Sequence, residues 1–459
     1  MRCLAVVLIA SSLAGCLVGP NYQRPPVAAP DAFRFEVAEA RDTANTAWWT
    51  QFGDPVLDGL IDEALAHNLD VRVAAANVEQ AAAVLTQARS ALYPQAGYGA
   101  STSGARENEK TGSVYSYQAL AGASWELDLW GRVRRMTEAA RAQVLASEEG
   151  RLGVVLSLVA AVAANYIQLR ALDEQLVIAT RTKETYAESV RLFELQFQYG
   201  TQSRMTVEQA RTQYETAAAA IPQIEAQIGQ TENSLSILLG RNPAPVQRGR
   251  SIGALELPGI PAGVPSQVLE RRPDIRQAEQ QLIAANAEIG AARALYFPTI
   301  SLTGALGVVG TDLARLFGSP NGAWSYQGSV TGPIFTAGSI KGQVRQSEAA
   351  RDAAILSYQA AIQSAFADVD NALVSRVKLV DQLAAQGRLV AASKKYSELA
   401  RLQFEGGVAP YMTVLQAEQQ LFPAELQEVQ LRASLLTAIV NIYKAMGGGW
   451  VLEAERRTR

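Results

Sequence analysis

The residue with the clearest chemistry is Cys16, which ends the motif Leu13-Ala-Gly-Cys16. A positive charge and a short apolar run precede it, so residues 1–15 have the features of a secretory signal peptide rather than of a membrane span. Small residues before a cysteine allow a lipoprotein signal peptidase to cleave there. Leu17 follows instead of Asp, so inner-membrane retention is not signalled. We predict an acylated Cys16 that anchors the mature chain, the alternative being an ordinary signal with a chance cysteine.

Other side chains that could carry catalysis or bind a metal are scarce. His67 is the single histidine, and the second cysteine, Cys3, lies within the signal, so the mature chain cannot form an internal disulfide. A single histidine argues against His-based metal sites and against Ser-His or Cys-His catalysis. With only 5 methionines beside it, the sequence offers no ligand cluster for heavy metals. The net charge is −3, with no basic patch that interleaves aromatics. The composition predicts a protein that is not an enzyme, without a nucleic-acid partner and without a cofactor beyond the covalent lipid.

Sequence motifs of the first half of the chain recur in the second half. Asn68-Leu-Asp-Val-Arg72 resembles Arg272-Pro-Asp-Ile-Arg276 at an offset of 204 residues. Met205-Thr-Val207 matches Met412-Thr-Val414 at an offset of 207, so about three residues were gained in between. A unit of this length is too long for a solenoid repeat. We predict a pseudo-symmetric body to which each half contributes the same elements.

Each repeat reads as a helix, a pair of strands, a very long helix, a turn and a further helix. The segments 132–199 and 338–406 contain no proline, and their apolar residues recur at steps of 3 and 4, which predicts coiled-coil seams. The seam residues are Leu152, Val155, Val159, Val162, Tyr166 and Leu169, and Ile355, Tyr358, Ile362, Ala365, Val369 and Ala372. Residues 152–169 are apolar enough to suggest a transmembrane helix. Polar residues interrupt them within a longer charged helix, so buried helix packing is the better interpretation.

Segments in which apolar and polar residues alternate lie between these helices. The alternation is clear over 115–127, 299–308 and 324–334 and weaker over 95–101. In the last of the clear segments, one face holds Trp324, Tyr326, Gly328, Val330 and Ile334. Strands of about ten residues with apolar side chains outward and aromatics near the ends are typical of outer-membrane barrels. A half-buried sheet of a soluble protein shows the same alternation, and this alternative stays open.

Four strands per chain constrain the assembly if the sheet lies in a membrane. Four strands cannot close a barrel, and an open sheet edge cannot face lipid. Several protomers must then share one barrel. Three protomers give 12 strands, an even number as bacterial barrels require, and place the long helices in a continuous tube beneath.

Five motifs point to one family. They are Cys16-Leu-Val-Gly-Pro-Asn-Tyr-Gln-Arg-Pro-Pro26, Trp48-Trp-Thr-Gln-Phe-Gly-Asp-Pro55, Glu126-Leu-Asp-Leu-Trp-Gly-Arg132, Pro265-Ser-Gln-Val-Leu-Glu-Arg-Arg-Pro-Asp-Ile275 and Tyr443-Lys-Ala-Met-Gly-Gly-Gly-Trp450. With these motifs the chain resembles the outer-membrane efflux proteins, also called outer-membrane factors, over essentially its whole mature length. The resemblance is to the lipoprotein branch of this family, whose members are the exit ducts of tripartite efflux pumps.

This resemblance implies a mixed fold, mainly α with membrane β, with an internal two-fold sequence repeat. A homotrimer would form a 12-strand outer-membrane β-barrel, four strands per protomer, continuous with a long periplasmic α-helical barrel. It also implies a passive mechanism, because a periplasmic adaptor (membrane fusion) protein and an inner-membrane transporter of the resistance-nodulation-division (RND) type supply the energy. We expect the chain in the cell outer membrane, anchored by lipid and extending into the periplasm.

The same reading divides the chain into six segments. They are the signal peptide 1–15, a lipidated segment 16–55 along the periplasmic body, repeat 1 at 56–240, a linker 241–267 in an equatorial belt, repeat 2 at 268–447 and a tail 448–459. Repeat 1 comprises a helix, strands at about 94–126, a long helix 132–199 and a helix 203–240. Repeat 2 comprises a helix, strands at about 298–335, a long helix 338–405 and a helix 411–446.

The helix-to-helix turns are implied to form the periplasmic tips that meet the adaptor. Their residues are Gly200, Thr201, Gly407, Val408 and Ala409. Family members often carry carboxylates just after the second tip, and this sequence has Thr413 and Gln416 there instead. Met412 and Gln416 are spaced i and i+4 and share a helix face. If that face looks inward, three copies form a thioether ring over an amide ring.

We therefore hypothesise a gate at Met412, Thr413 and Gln416 that closes by apolar packing and hydrogen bonds. Two alternatives stay open. Met412 and Gln416 could instead pack between helices, and Glu405 or Glu418 could supply a ring of charge. Apart from small-molecule efflux, the function could be a duct for type I protein secretion or for heavy metals. A lipid-anchored periplasmic coiled-coil scaffold without a pore is a rival from another class, which leaves the strands unexplained.

Overall fold

The computed structural model describes residues 17–27, 33, 47–106, 112–260 and 265–447. The predicted lipidation site Cys16 and the predicted tail 448–459 lie outside the described residues. The chain forms two compact units, each built from separate stretches. Of the described residues, one unit contains 17–27, 75–106, 112–149 and 277–361, and the other contains 33, 47–74, 150–260, 265–276 and 362–447.

Helices dominate, and the second half of the chain repeats the first. The described α-helices and strands are α1 (Pro55–His67), α2 (Leu69–Ser90), β1 (Gln95–Ala105), β2 (Val114–Leu127), α3 (Arg132–Gln198), α4 (Arg204–Leu238), α5 (Pro265–Arg271), α6 (Pro273–Ala294), β3 (Thr299–Gly310), β4 (Gly322–Thr331), α7 (Ser339–Glu405) and α8 (Tyr411–Ala445). Helices α3 and α7 both have 67 residues, and α4 and α8 both have 35. Because β1 and β3 begin 204 residues apart and α3 and α7 begin 207 apart, the extra residues lie between Thr299 and Ser339.

The first helix of repeat 1, expected between residue 56 and the strands that begin at about 94, is divided at Asn68. The Asn68 backbone N–H closes the last turn of α1, and its side-chain Oδ1 accepts from the N–H of Val71 at 3.1 Å. Its Nδ2 donates to the carbonyl of Leu238 at 2.9 Å. Asparagine competes well for backbone groups in this way, so it ends one helix and starts the next. In the second repeat, Pro273 begins a new helix at the corresponding break, because proline has no N–H to donate.

The predicted seams are largely buried. All six residues in α3 are at most 8% exposed, and those of α7 from Tyr358 to Ala372 are at most 7% exposed, whereas Ile355 is half-buried. Among the described helices, α3 alone has a window apolar and long enough to cross a membrane, with a mean hydropathy of 1.9, but 61% of that window is buried inside the protein. Burial among other helices accounts for its composition.

In the second unit, aromatic and polar side chains pack around the segment that links the two repeats. The rings of Trp48 and Tyr443 stack with centroids 5.1 Å apart. The Tyr166 hydroxyl donates to the Asp54 carboxylate at 2.7 Å, and the same carboxylate accepts from the N–H of Arg250 at 2.9 Å. Burial beside Asp54 raises the pKa of Tyr166, so its hydroxyl stays protonated. These bonds fix the chain after α4, although its placement in a belt stays a prediction.

Candidate functional site: sheet wall and helix tips

The four strands form one antiparallel sheet in the order β1-β2-β3-β4. Its register places the predicted apolar residues opposite one another, since Tyr98 pairs with Ala121, Ala121 with Leu306 and Leu306 with Trp324. The apolar alternation therefore continues across all four strands on one face. Ile334 is an exception, because β4 ends at Thr331 and Ile334 lies beyond it.

The two faces of this sheet differ in chemistry. On the apolar face, Tyr98, Trp324 and Tyr326 are 95%, 76% and 81% exposed in the protomer. On the opposite face, Gln118 donates to Ser101 at 2.6 Å, and the hydroxyls of Ser301 and Ser329 lie 2.7 Å apart. A large exposed apolar surface on one side and a hydrogen-bonded polar surface on the other suit a wall between lipid and water.

The chain turns from strand to long helix at equivalent glycines. Gly131 has φ of 78° and Gly338 has φ of 91°, a left-handed region that favours glycine. Before the first of these turns, the Asp128 carboxylate accepts from the N–H groups of Val133 and Arg134 at 3.0 and 2.9 Å. Both glycines therefore form the bends between a strand and a long helix.

The first tip joins α3 to α4. Gly200 has φ of 73°, its N–H donates to the Phe197 carbonyl at 3.0 Å, and the Thr201 N–H donates to the Gln196 carbonyl at 2.9 Å. This is a Schellman ending, which satisfies the last carbonyls of a helix. Ser203 then caps α4 by accepting from the N–H of Thr206.

The second tip repeats this geometry between α7 and α8. Gly407 has φ of 71° and donates to the Phe404 carbonyl at 3.0 Å, while the Val408 N–H donates to the Gln403 carbonyl at 2.9 Å. Pro410 directly precedes α8, and Val408 is 81% exposed. All predicted tip residues therefore lie in the two turns, and their contact with an adaptor stays a prediction.

The predicted gate residues lie at the start of α8. Met412 and Gln416 are exposed and Thr413 is half-buried, whereas Val414 and Leu415 are buried. Met412 and Gln416 therefore share an accessible helix face in the protomer. That this face lines a pore stays a prediction.

Glu418 cannot supply a ring of charge on that face. Its side chain is 5% exposed, and one carboxylate oxygen accepts from Arg401 on α7 at 2.8 Å. Burial raises the pKa of Glu418, although Arg401 opposes this shift. Glu405, the other candidate, is exposed at the end of α7.

Glu425 is a buried ionic residue that the sequence reading did not single out. Its carboxylate contacts Arg181 on α3 at 2.8 Å and Lys394 on α7 at 3.1 Å, while its own side chain is 8% exposed. Glu418 and Glu425 are seven residues apart in α8, so they lie on one face of the helix. That spacing is the one signal in the sequence that could have indicated this pair.

The part of the chain that the structure describes contains no cluster of possible metal ligands. Within it, no group of three or more His, Cys, Asp or Glu side chains is placed to hold a metal ion.

Comparison with known proteins agrees with this architecture. The sequence profile of the family "Outer membrane efflux protein" matches residues 60–241 and 264–448. The chain belongs to this family, which is one of transport channels. It is 38% identical over 463 residues to the toluene efflux pump outer membrane protein TtgC of Pseudomonas putida, covering 97% of this chain and 95% of that one. It is 35% identical over 448 residues to the cation efflux system protein CusC of Escherichia coli, covering 96% and 97%.

Solved structures of similar proteins are outer-membrane channels. The open state of the Neisseria gonorrhoeae MtrE channel matches with a TM-score of 0.88 and 34% identity, over 95% of this chain and 99% of that one. A structure of CusC matches with a TM-score of 0.86 and 33% identity, over 94% and 100%. The protein is therefore an outer-membrane efflux channel component of mainly helical fold with a small membrane sheet.

Proposed function

We propose that three copies of this chain form the passive exit duct of a tripartite pump for drugs or other small molecules. The observation that carries the proposal is the sheet. Among the described residues, β1 pairs with β2 alone and β4 with β3 alone, and the apolar face between these edges is exposed. Unpaired strand edges in hydrocarbon cost several kcal/mol per polar group, so the edges need partners from other copies. Three copies supply 12 strands, with the apolar face toward lipid and the polar face toward the pore.

The duct needs an external source of energy. We assign this to an inner-membrane RND transporter that reaches the duct through a periplasmic adaptor, with no catalysis by this chain. The printed functions of similar proteins, toluene efflux for TtgC and cation efflux for CusC, span organic molecules and ions. We favour organic substrates, because the sequence offers one histidine and 5 methionines as soft or borderline metal ligands.

The lipid anchor on Cys16 is part of the proposal. Support comes from the residues that follow it, which are fixed to the first unit. Arg135 is 1% exposed and donates to the carbonyls of Val18 and Gly19 at 3.2 and 3.3 Å and to the Asn21 side chain at 2.9 Å. A buried guanidinium with three such acceptors holds the chain firmly, so an acylated Cys16 would be tethered close to the body.

The gate of the duct is proposed at the second tip. Support comes from the accessible face that Met412 and Gln416 share and from the exposed turn at Gly407 and Val408. A ring of three thioethers and three amides would narrow the pore without a fixed charge. The adaptor would contact both tips.

The test is a photo-crosslinking residue at Ala409, in living cells, with identification of the captured protein. An adaptor that belongs to an RND pump supports the proposal, and deletion of that pump should then abolish the drug resistance that this chain confers. An adaptor of an ATP-driven exporter would replace the proposal with type I secretion. Capture of neither, with conducting trimers absent, would favour the scaffold. Resistance to soft metal cations instead of drugs would assign cation export.

A further inference from the structure

The described N-terminal residues lie along α6 and run towards the sheet. The Tyr22 hydroxyl donates to Glu279 at 3.0 Å, and the Asn286 side chain donates to the Pro20 carbonyl at 3.0 Å. Helix α6 ends at Ala294, and β3 follows it after a short turn. Each step towards the N-terminus therefore brings the chain closer to the membrane sheet.

Leu17, the first described residue, lies at the junction between β2 and α3. The Val18 N–H donates to the Trp130 carbonyl at 3.2 Å, and a Cβ at Gly131 would lie 3.3 Å from the Leu17 Cα. The Trp130 indole N–H donates at 2.7 Å to the carbonyl of Pro298, directly before β3. Successive Cα atoms are about 3.8 Å apart, so a lipid on the residue before Leu17 starts beside this end of the sheet.

A shallow groove of about 370 Å³ lies on the apolar face of the sheet, at the end next to the helices. Trp125 and Leu302 line it from paired positions of β2 and β3, and Tyr326 lines it from β4. Gly304 and Gly328 also line it, and Cβ atoms there would lie 3.8 and 3.6 Å from their nearest neighbours. Because neither glycine carries a side chain, the space between the larger side chains stays open.

This groove is within reach of a lipid that starts beside Pro298. Leu302 lies four residues after Pro298 in the sequence, a distance of about 13 Å at the rise of a strand. An acyl chain extends through half of the hydrocarbon core, or about 15 Å. The Trp125 indole N–H donates to the Leu92 carbonyl at 3.0 Å, which fixes one wall of the groove. The groove is therefore already formed in the protomer, and a tethered acyl chain is long enough to enter it.

We propose that this groove binds an acyl chain of the lipid on Cys16, so that the anchor packs against the sheet instead of lying free in the bilayer. The inference rests on the lipid anchor of the duct proposed above. Within hydrocarbon, association depends on close packing, which small residues such as Gly304 and Gly328 allow. The tether keeps this acyl chain beside the groove at a high effective concentration, in competition with free phospholipids.

The test places a photo-crosslinking residue at Leu302 in the full-length protein, expressed and lipidated in cells. Irradiation should join this residue to the lipid of the N-terminal peptide, which mass spectrometry of the digested protein identifies. The matched control is the same residue at Trp324, on the same face of the sheet. Trp324 pairs with Leu306, which is about 26 Å from Pro298 at the rise of a strand, so capture of the N-terminal lipid should be absent there.

A second pair of variants tests the shape of the groove. Gly304→Leu fills the groove at a position where the backbone leaves room for a Cβ, so capture at Leu302 should fall severalfold. The control is Gly322→Leu, which adds the same side chain at the far end of β4, where a Cβ meets no atom within 4 Å. This control should leave capture unchanged.

Three results would overturn the inference. The first is equal capture in Gly304→Leu and Gly322→Leu, and the second is capture of free phospholipid alone at Leu302. The third is an N-terminal peptide without lipid, in which case the proposed anchor on Cys16 fails as well. A lipidated N-terminal peptide that Leu302 does not capture refutes the groove and leaves the anchor standing.

Discussion

The two helix hairpins have the same backbone and different surroundings. Both turns use a left-handed glycine, and both lead into a 35-residue helix. Yet α8 has 18 buried residues where α4 has 7. In the second hairpin, the Arg401–Glu418 bridge has a buried carboxylate. The equivalent bridge of the first hairpin joins Arg211 of α4 to Glu194 of α3, and these side chains are 48% and 44% exposed. Equivalent substitutions in the two hairpins should therefore have equal effects on stability where only the backbone conformation matters. They should have unequal effects where the neighbouring side chains differ.

The largest difference is expected at the two bridges. Arg401→Ala leaves Glu418 buried without its ionic partner, which should lower the free energy of unfolding by about 2–3 kcal/mol, below the usual range for fully buried pairs because Arg401 is half exposed. Arg211→Ala, at the exposed bridge, should cause no measurable loss. The measurement is thermal unfolding in detergent of both variants. Equal losses would show that burial of Glu418 does not distinguish the hairpins.

The gate hypothesis predicts a gain of function. Gln416→Asp would place three carboxylates on the accessible face of α8, so block of the channel by a trivalent cation should strengthen at least about tenfold, or about 1.4 kcal/mol. The control is Gln209→Asp, since Gln209 is the equivalent position of α4. Conductance in planar bilayers gives the result, and the unmodified channel should be blocked weakly. Stronger block with Gln209→Asp than with Gln416→Asp would move the pore lining to the first hairpin.

The turn glycines should respond alike. A Cβ at Gly200 or at Gly407 meets no atom within 4 Å, so the effect of alanine is limited to the left-handed backbone. Gly200→Ala and Gly407→Ala should each lower the free energy of unfolding by about 1 kcal/mol. The same thermal measurement applies. A difference larger than the error between the two would mean that the surroundings of the tips also act on the turns.

The smallest expected effect is a dependence of stability on pH, which arises from Glu418 in the second hairpin. Burial raises the pKa of Glu418 in the folded state above its unfolded value, so the folded protein holds this proton more tightly. The stability that Glu418 contributes is then present at low pH and is lost as the pH rises through its folded pKa. The melting temperature of the unmodified protein relative to Glu418→Gln should fall as the pH rises from below the ordinary pKa of a glutamate carboxyl through the higher pKa of Glu418 in the folded protein. A rise over that range would reverse the sign of the assigned pKa shift.

Features that depend on a few neighbouring residues could be predicted from the sequence. The alternation in 324–331 follows from the two-residue period of a strand, and the register confirms it. The turns at Gly200 and Gly407 follow from the need for a left-handed residue after a helix. The break at Asn68 could not be predicted from its neighbours, because one of its hydrogen bonds reaches Leu238, 170 positions away. The lipid on Cys16 and the pore lining stay predictions.

The sequence by itself determined that the chain has two similar halves, which residues alternate across the strands and where the long helices end. These properties follow from local periodicity and backbone preference. The sequence also shows that acid and base exchange places between equivalent positions of the two halves, at Glu194 and Arg401 and at Arg211 and Glu418. Only the tertiary structure decided that these charges meet as bridges and that Glu418 is buried while Glu194 is exposed. Burial depends on which helices surround a residue, and α8 is packed by α3, whose contacting residues lie more than 200 positions away in the chain.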